Sequence, residues 1–252
     1  MTTVLENEIF KISELVKNQN FNFNKTQILN HLPEKYIDEA IDSIQSWETY
    51  KSTPLHNLNK LNEVLKLNNI FYKDEGYRFD LKSFKALGGA FAVNKVSKIK
   101  KLNCCNSNCW QSWKICGLGA KRLGVNCKIF ISEFVSESRA DAMRKLDAEV
   151  IRVKGNYDAS LKECIKQSTE NNWEIVQDVS WDGYKEVPKY IMAGYSIMIK
   201  EIIDDLKNNS ITHVFLQAGV GGMAAAAIAG FAKFYNPLQN LLLWNLKMLT
   251  AF

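Results

Sequence analysis

The feature that most constrains the fold is a regular alternation of strands and helices that runs from Asn126 to Leu216. Strands that alternate with helices of about ten or more residues predict right-handed βαβ units and a mainly parallel sheet. The sequence therefore predicts an α/β fold with open, mainly parallel sheets flanked by helices. The predicted strands are 128–132, 149–153, 174–177 and 212–216, and the predicted helices are 137–146, 158–170 and 187–206.

A glycine-rich turn directly follows the last of these strands and leads into an alanine-rich helix. It reads QAGVGGM over residues 217–223. Glycines at such a turn let backbone N–H groups approach a phosphate, and the helix N-terminus favours the anion. The spacing also fits a dinucleotide site, which expects an acidic residue about twenty positions later, but no Asp or Glu follows Asp205. The sequence therefore favours a phosphate-binding turn. The alternative is that the glycines only allow the following helix to pack closely. The candidate phosphate-binding residues are Gly219, Val220, Gly221, Gly222 and Met223.

Lys85 lies near the centre of the stretch YKDEGYRFDLKSFKALGGA, residues 72–90. The aromatic run 70–73 predicts a strand, and residues 83–96 predict a helix that begins with Ser-Phe-Lys. A helix N-terminus lowers the pKa of a nearby amine, and a free lysine amine is a nucleophile that forms Schiff bases. On spacing alone a solvated surface lysine is the commoner explanation, because Lys is seldom buried.

Asp178 lies just after the predicted strand 174–177, in the run VQDVSWDGY. Ligands of open α/β sheets bind at the carboxyl ends of strands, and a carboxylate there can act as a general acid or base. Asp is also common in turns as a capping or loop residue, and Asp182 is a second candidate in the same run. The three histidines lie far apart in the sequence and match no metal-ligand or triad spacing.

These runs together resemble diaminopropionate ammonia-lyase, a family of pyridoxal 5'-phosphate (PLP) enzymes with the tryptophan synthase β-subunit fold. The runs are KDEGYRF with SFKALGGAFA, VQDVSWDGY beside the family pattern VVQD-x-x-W-x-G-Y, and the glycine-rich turn. The resemblance implies PLP fold type II, in which Lys85 holds the cofactor, Asp178 is the general acid/base and the glycine-rich turn holds the phosphate. The family usually has Gly and Asn where this chain has Asp80 and Lys82, which leaves the shape of that turn open.

The same resemblance implies α,β-elimination of an amino acid, 2,3-diaminopropionate, to pyruvate and ammonia. A PLP-dependent serine or threonine dehydratase is the alternative within that class. We predict covering helices in residues 1–50 and a PLP-binding α/β region in 51–252, built of two interleaved subdomains with the smaller at about 86–200. The resemblance leaves open whether this chain forms a homodimer like that of the family.

The segment 103–119, NCCNSNCWQSWKICGLG, lacks periodicity and departs from the family, which has an asparagine loop of the type A-G-N-H-G there. The codons TGC TGG CAA TCA TGG can encode residues 109–113, and read one base later they give Ala-Gly-Asn-His-Gly. A shifted reading of residues 241–252 likewise gives Ile-Ile-Val-Glu-Pro-Lys-Asn-Ala-Asp-Cys-Phe. We therefore hypothesise frameshifts near Asn103, Gly119 and Gln239, which resequencing of the DNA tests. On this hypothesis the C-terminal part of the fold is missing, and an inactive remnant of the enzyme is a further alternative.

Composition excludes several other classes of function. A net charge of +5 over 252 residues is mild, and the lysines at 95–101 are interpreted as a solvated face. No run approaches the roughly 18 apolar residues of a membrane span, and the N-terminus does not resemble a signal peptide. We therefore expect a cytoplasmic protein that binds neither nucleic acid nor membrane. The six cysteines lack paired C-x-x-C spacing, so no metal is expected.

Overall fold

The computed structural model describes residues 24–97, 103–107, 117, 119–121, 123–217, 220–235 and 240–244. The predicted alternation of strands and helices is present throughout 126–217. The helices are α1 Lys25–His31, α2 Glu34–Gln45, α3 Asn59–Leu65, α4 Lys85–Ser97, α5 Glu137–Arg144, α6 Tyr157–Asn171, α7 Glu186–Tyr195, α8 Ile197–Leu206 and α9 Gly222–Phe234. The strands are β1 Leu55–Asn57, β2 Phe71–Lys73, β3 Asn103–Ser107, β4 Asn126–Ser132, β5 Ala148–Val153, β6 Glu174–Ile175, β7 His213–Gln217 and β8 Asn240–Trp244.

The central sheet has four parallel strands in the order β5-β4-β3-β6. Strands β7 and β8 form a second parallel pair, and β1 and β2 form a short antiparallel pair. These pairings confirm the predicted α/β class with mainly parallel sheets.

Strand β3 is a difference from the sequence prediction, which found no periodicity in residues 103–119. Its backbone pairs with β4 on one side and with β6 on the other. A strand between two parallel neighbours needs no polar–apolar alternation, because helices usually cover both faces of such a sheet. Residues 108–116, 118 and 245–252, on which the frameshift hypothesis also depends, lie outside the described residues.

Two predicted elements are shorter than expected. The predicted helix 187–206 is two helices, α7 and α8, which meet at Ser196. The hydroxyl of Ser196 donates to the carbonyl of Met192, at 3.3 Å, and such a bond to the preceding turn bends helices. Strand β6 ends at Ile175 rather than at residue 177, because its ladder with β3 ends at the pair Cys105–Ile175.

Helix α4 packs very closely against α7 where two glycines cross. A Cβ atom placed on Gly88 would lie 2.5 Å from Cε1 of Tyr195, and one placed on Gly194 would lie 2.6 Å from Cα of Gly88. Residues 86–93 of α4 are all buried. Because side chains at either glycine would separate the two backbones, this crossing sets the position of the helix that begins with Lys85.

The N-terminal helices pack on the same core. Ile37, Ala40, Ile41 and Ile44 form the buried face of α2, and they belong to one apolar cluster with residues of α4 and α7. Residues 1–23 lie outside the described residues. The division into residues 1–50, residues 51–252 and a smaller subdomain at 86–200 stays a prediction.

Candidate active site

Lys85 follows a turn in which three residues other than glycine have left-handed backbones. The φ angles are +48° at Phe79, +56° at Asp80 and +54° at Lys82. Gly and Asn adopt this conformation most readily, and they are the residues that the resembling family usually has at 80 and 82. The turn therefore has the conformation that Gly and Asn favour, although Asp80 and Lys82 adopt it with strain. Beyond it, the backbone N–H of Lys85 donates to the hydroxyl of Ser83, at 3.3 Å.

The structure brings Lys85 and Asp178 together from 93 positions apart in the sequence. The amine Nζ of Lys85 lies 2.8 Å from Oδ2 of Asp178, and the side chains are 18% and 7% exposed. The second oxygen of Asp178, Oδ1, is buried and has no hydrogen-bond partner among the described residues. A shielded amine and a carboxylate with spare acceptor capacity therefore face each other, and they can exchange a proton.

The glycine-rich turn lies beside this pair. Gly221 has a left-handed backbone, with φ of +92°, and stands immediately before α9. A Cβ placed on Gly221 would meet no heavy atom within 4 Å, and one placed on Gly222 would lie 3.9 Å from the carbonyl oxygen of Asp178. The first N–H groups of a helix have no acceptor within the helix. The N-terminus of α9 thus presents open, anion-attracting backbone next to Asp178.

The remaining predicted residues of this turn differ in their surroundings. Val220 is exposed, and Met223 packs against apolar residues of the core. Gly219 lies outside the described residues. Gly221 and Gly222 fit the phosphate of PLP, because they leave space where side chains would otherwise stand, and the Lys85 amine fits its aldehyde. The assignment of Lys85, Asp178 and residues 219–223 to individual roles stays a prediction.

Sequence reasoning missed a tyrosine that contacts the backbone just before Asp178. The hydroxyl of Tyr184 accepts a hydrogen bond from the N–H of Gln177, at 2.8 Å, and donates to the carbonyl of Ile175, at 2.9 Å. The ring of Tyr184 stacks on that of Trp181, with centroids 4.1 Å apart. Both aromatic residues lie in the run VQDVSWDGY, so the motif signalled them, but the sequence did not show what they contact.

A buried cluster of charges, formed by Lys73, Glu75, Arg78 and Glu201, was also missed. The guanidinium of Arg78 is 0% exposed and donates to both oxygens of Glu75 and both oxygens of Glu201 at 2.7–2.8 Å. Lys73 lies 2.7 Å from Glu201. Through Glu75, Arg78 and Glu201, the cluster joins the segment Glu75–Asp80, which is kinked at Arg78 and Phe79, to α8. No sequence motif links Glu201 to residues more than 120 positions earlier.

This charge cluster shifts the pKa of two of its members. Burial alone would raise the pKa of Glu201, but the hydrogen bonds and charges of Arg78 and Lys73 outweigh burial and hold that pKa below its ordinary value. Burial alone would lower the pKa of Arg78, and the two carboxylates raise it instead. Both shifts favour the charged forms, so Arg78 and Glu201 form an ion pair at pH 7.

Other candidate groups lie away from Lys85. The side chain of Asp182 is fully exposed, 3.8 Å from Lys185, so it is not part of the site. His56 faces Asp74 at 3.8 Å, and His213 contacts Thr212. Lys95 pairs with Glu39 and lies over the rings of two tyrosines. Across the ranges described above, no group of three His, Cys, Asp or Glu side chains could hold a metal ion.

In the same ranges, no helix combines the length and apolar character needed to cross a membrane.

Comparison with known proteins agrees with this geometry. The family model "Pyridoxal-phosphate dependent enzyme" matches residues 47–245. Diaminopropionate ammonia-lyase of Escherichia coli (strain K12) is 32% identical over 213 residues, which cover 76% of this chain and 53% of that protein. The crystal structure of the Escherichia coli enzyme in its apo form superposes with a TM-score of 0.84 at 28% identity, covering 92% of this chain and 68% of the other.

A more distant relative is an L-threonine dehydratase of Haemophilus influenzae. It is 27% identical over 192 residues, which cover 76% of this chain and 35% of that protein. The chain spans about half the length of the diaminopropionate ammonia-lyases that it matches.

Proposed function

This chain belongs to the pyridoxal-phosphate dependent enzymes, with the fold-type II architecture of its structural relative, and from that premise we propose that it catalyses α,β-elimination of 2,3-diaminopropionate. The products are pyruvate and ammonia: one amino group leaves from Cβ, and hydrolysis releases the other. The observation that carries the proposal is the contact of 2.8 Å between the amine of Lys85 and the carboxylate of Asp178, beside the open N-terminus of α9.

Each group has a role that its surroundings allow. When bound, PLP supplies an electron sink for the carbon that loses its proton. Lys85 would hold the cofactor, because its amine is largely shielded and lies at the start of α4, whose next eight residues are buried. The backbone N–H groups of Gly221, Gly222 and Met223 bind its phosphate, together with Gly219. Asp178 takes or returns the Cα proton or protonates the leaving amine, because Oδ1 has free acceptor capacity.

The second candidate is the elimination of water from serine or threonine. The similarity to threonine dehydratase supports it, at lower identity than that to the diaminopropionate enzyme. The run SWDGY after Asp178 favours the diaminopropionate reaction, since it follows the family pattern W-x-G-Y.

The test is product formation by the purified chain with added PLP. We expect pyruvate from 2,3-diaminopropionate, measured by a coupled lactate dehydrogenase assay, and little or no 2-oxo acid from serine or threonine. Lys85→Ala and Asp178→Asn should abolish or strongly reduce the rate, whereas Lys200→Ala, which removes a partly exposed lysine paired with Asp204, should not. A higher rate with threonine would favour the dehydratase, and cofactor binding without any product would favour an inactive remnant of the enzyme.

The expected setting of this reaction also belongs to the proposal. We expect a cytoplasmic enzyme that acts on a small amino acid, with a family-like homodimer left open. Binding to nucleic acid or membrane is not expected, and Lys95, which begins the basic segment, already pairs with Glu39.

A further inference from the structure

The backbone that carries Asp178 is held by little of the central sheet. The ladder between β3 and β6 ends at Ile175, and Asp178 follows three residues later. A proton-transfer group needs a fixed geometry, because small displacements from the reacting atom lower the rate strongly. Some other contact must therefore fix the segment from Val176 to Asp178.

The hydroxyl of Tyr184 supplies a backbone contact of this kind, beside the hydrogen bond of 2.7 Å that the side chain of Gln177 donates to the hydroxyl of Tyr157. The Tyr184 hydroxyl bridges two peptide groups at the end of β6, accepting from the N–H of Gln177 and donating to the carbonyl of Ile175. These are the backbone groups that a neighbouring strand would otherwise bind. Gln177 is fully buried, so loss of the bridge would leave its N–H away from water.

The turn from Trp181 to Tyr184 brings Tyr184 back beside the end of β6 and holds its ring. Trp181 and Tyr184 exchange backbone hydrogen bonds at 2.9 and 3.3 Å. Their rings stack with 17° between the planes. Gly183, with φ of +86°, closes the turn. The hydroxyl is therefore held in place by the ring stack and the turn, and its oxygen contacts the backbone just before Asp178.

We propose that Tyr184 is a positioning residue that sets the orientation of the Asp178 carboxylate toward Lys85 and the substrate. The expected effect on the reaction rate rests on the proposed function. The hydrogen bonds of Tyr184 to Ile175 and Gln177 do not depend on that function. Tyr184 acts through the backbone of Ile175 and Gln177.

The chain contains a second tyrosine that serves as a control for removal of the hydroxyl in Tyr184→Phe. Tyr235 also bridges backbone groups with its hydroxyl, accepting from the N–H of Ile211 at 2.7 Å. That bridge lies just before β7, at its amino end, whereas the candidate site follows its carboxyl end. Tyr235→Phe thus removes the same atom from a comparable bond without touching the segment before Asp178.

The first measurement follows amide exchange in the protein as it exists. Tyr184→Phe should speed exchange of the Gln177 amide about tenfold, the effect of one net hydrogen bond, while Tyr235→Phe should leave that amide unchanged. Unchanged exchange in Tyr184→Phe would overturn the bridge, and with it the proposal, whether or not the chain binds PLP.

The second measurement separates positioning from general stabilisation. In the PLP-loaded chain, NMR in D₂O reports exchange of the substrate Cα proton. Tyr184→Phe should slow it about tenfold or more with little change in KM or in the absorbance of the bound cofactor.

In the Asp178→Asn background the same substitution should have no further effect, because the effects of residues that act as a unit are not additive. Additive losses, or a wild-type rate in Tyr184→Phe, would overturn the proposal. Absence of the cofactor band from the wild-type chain would instead contradict the proposed function. The exchange rate of the Gln177 amide would then be the sole test of the Tyr184 bridge.

Discussion

Replacement of Arg78 by methionine should destabilise the fold by about 3–5 kcal/mol, since this is the cost of leaving buried charges without their partner. Arg78 is fully buried and binds Glu75 and Glu201, which is itself 3% exposed. Its removal leaves two carboxylates with Lys73 as the single cation of the cluster. Because whole domains are stable by only about 5–15 kcal/mol, this one change should remove a large part of the total stability.

The same variant should respond to pH in a way that identifies the cause. In the wild-type chain the lowered pKa of Glu201 stabilises the fold above its ordinary pKa of 4.5, and this stabilisation is lost as the pH falls through the folded-state value. Without Arg78, burial should raise that pKa instead. Protonation then relieves the buried charge, so the destabilisation should be smaller at about pH 5 than at about pH 7.

Urea unfolding followed by tryptophan fluorescence measures both effects. The double variant Arg78→Met with Glu201→Met should be more stable than Arg78→Met alone, because it also removes the buried carboxylate that lost its partner. Arg144→Met is the control: Arg144 also binds two carboxylates, but all three side chains are exposed, so its loss should leave the urea midpoint close to the wild-type value. A stability loss below about 1 kcal/mol for Arg78→Met would refute this account of the cluster. So would a double variant whose stability loss equals the sum of the losses of the two single variants.

Three further predictions concern the surroundings of Lys85. Asp80→Gly and Lys82→Asn should each stabilise the chain by up to about 1 kcal/mol, because they relieve left-handed strain; lower urea midpoints would contradict this. Gly88→Ala should cost several kcal/mol or prevent folding, since the added methyl would overlap α7; wild-type stability would show that the helices can separate freely. Gly222→Val should leave the urea midpoint nearly unchanged but raise the Kd for PLP about tenfold or more, by filling the space in front of α9; unchanged affinity would place the phosphate elsewhere.

The sequence predicted the parts of the site that depend on local pattern. The helix that begins near Lys85, the strand before Asp178 and the glycine-rich turn before α9 are all visible from periodicity and turn residues. Strands β6 and β7, which precede Asp178 and the turn, lie in different sheets, so the periodicity did not predict that these parts converge; only the resemblance implied one shared cofactor site. The resemblance assigned both Lys85 and Asp178 to the site, but the direct contact between their side chains was not predicted.

The contacts that the sequence did not predict join residues far apart in the chain. Nothing near Arg78 indicates that its carboxylate partner is Glu201, and nothing near Tyr184 indicates that its hydroxyl replaces a strand at Gln177. The break at Ser196 depends on a hydroxyl that also approaches the carbonyl of Ala226, at 3.4 Å. Such contacts are fixed by tertiary packing, which overrides local propensity.

The covalent attachment of PLP to Lys85 tests the central claim most directly. The purified chain is mixed with PLP, reduced with borohydride and mapped by mass spectrometry, with absorbance recorded before reduction. We expect a visible band from the lysine-bound cofactor and a reduced pyridoxyl group on Lys85, both lost in Lys85→Ala and retained in Lys200→Ala. A band that survives Lys85→Ala, or a label on another lysine, would contradict the assignment of Lys85 as the residue that holds the cofactor.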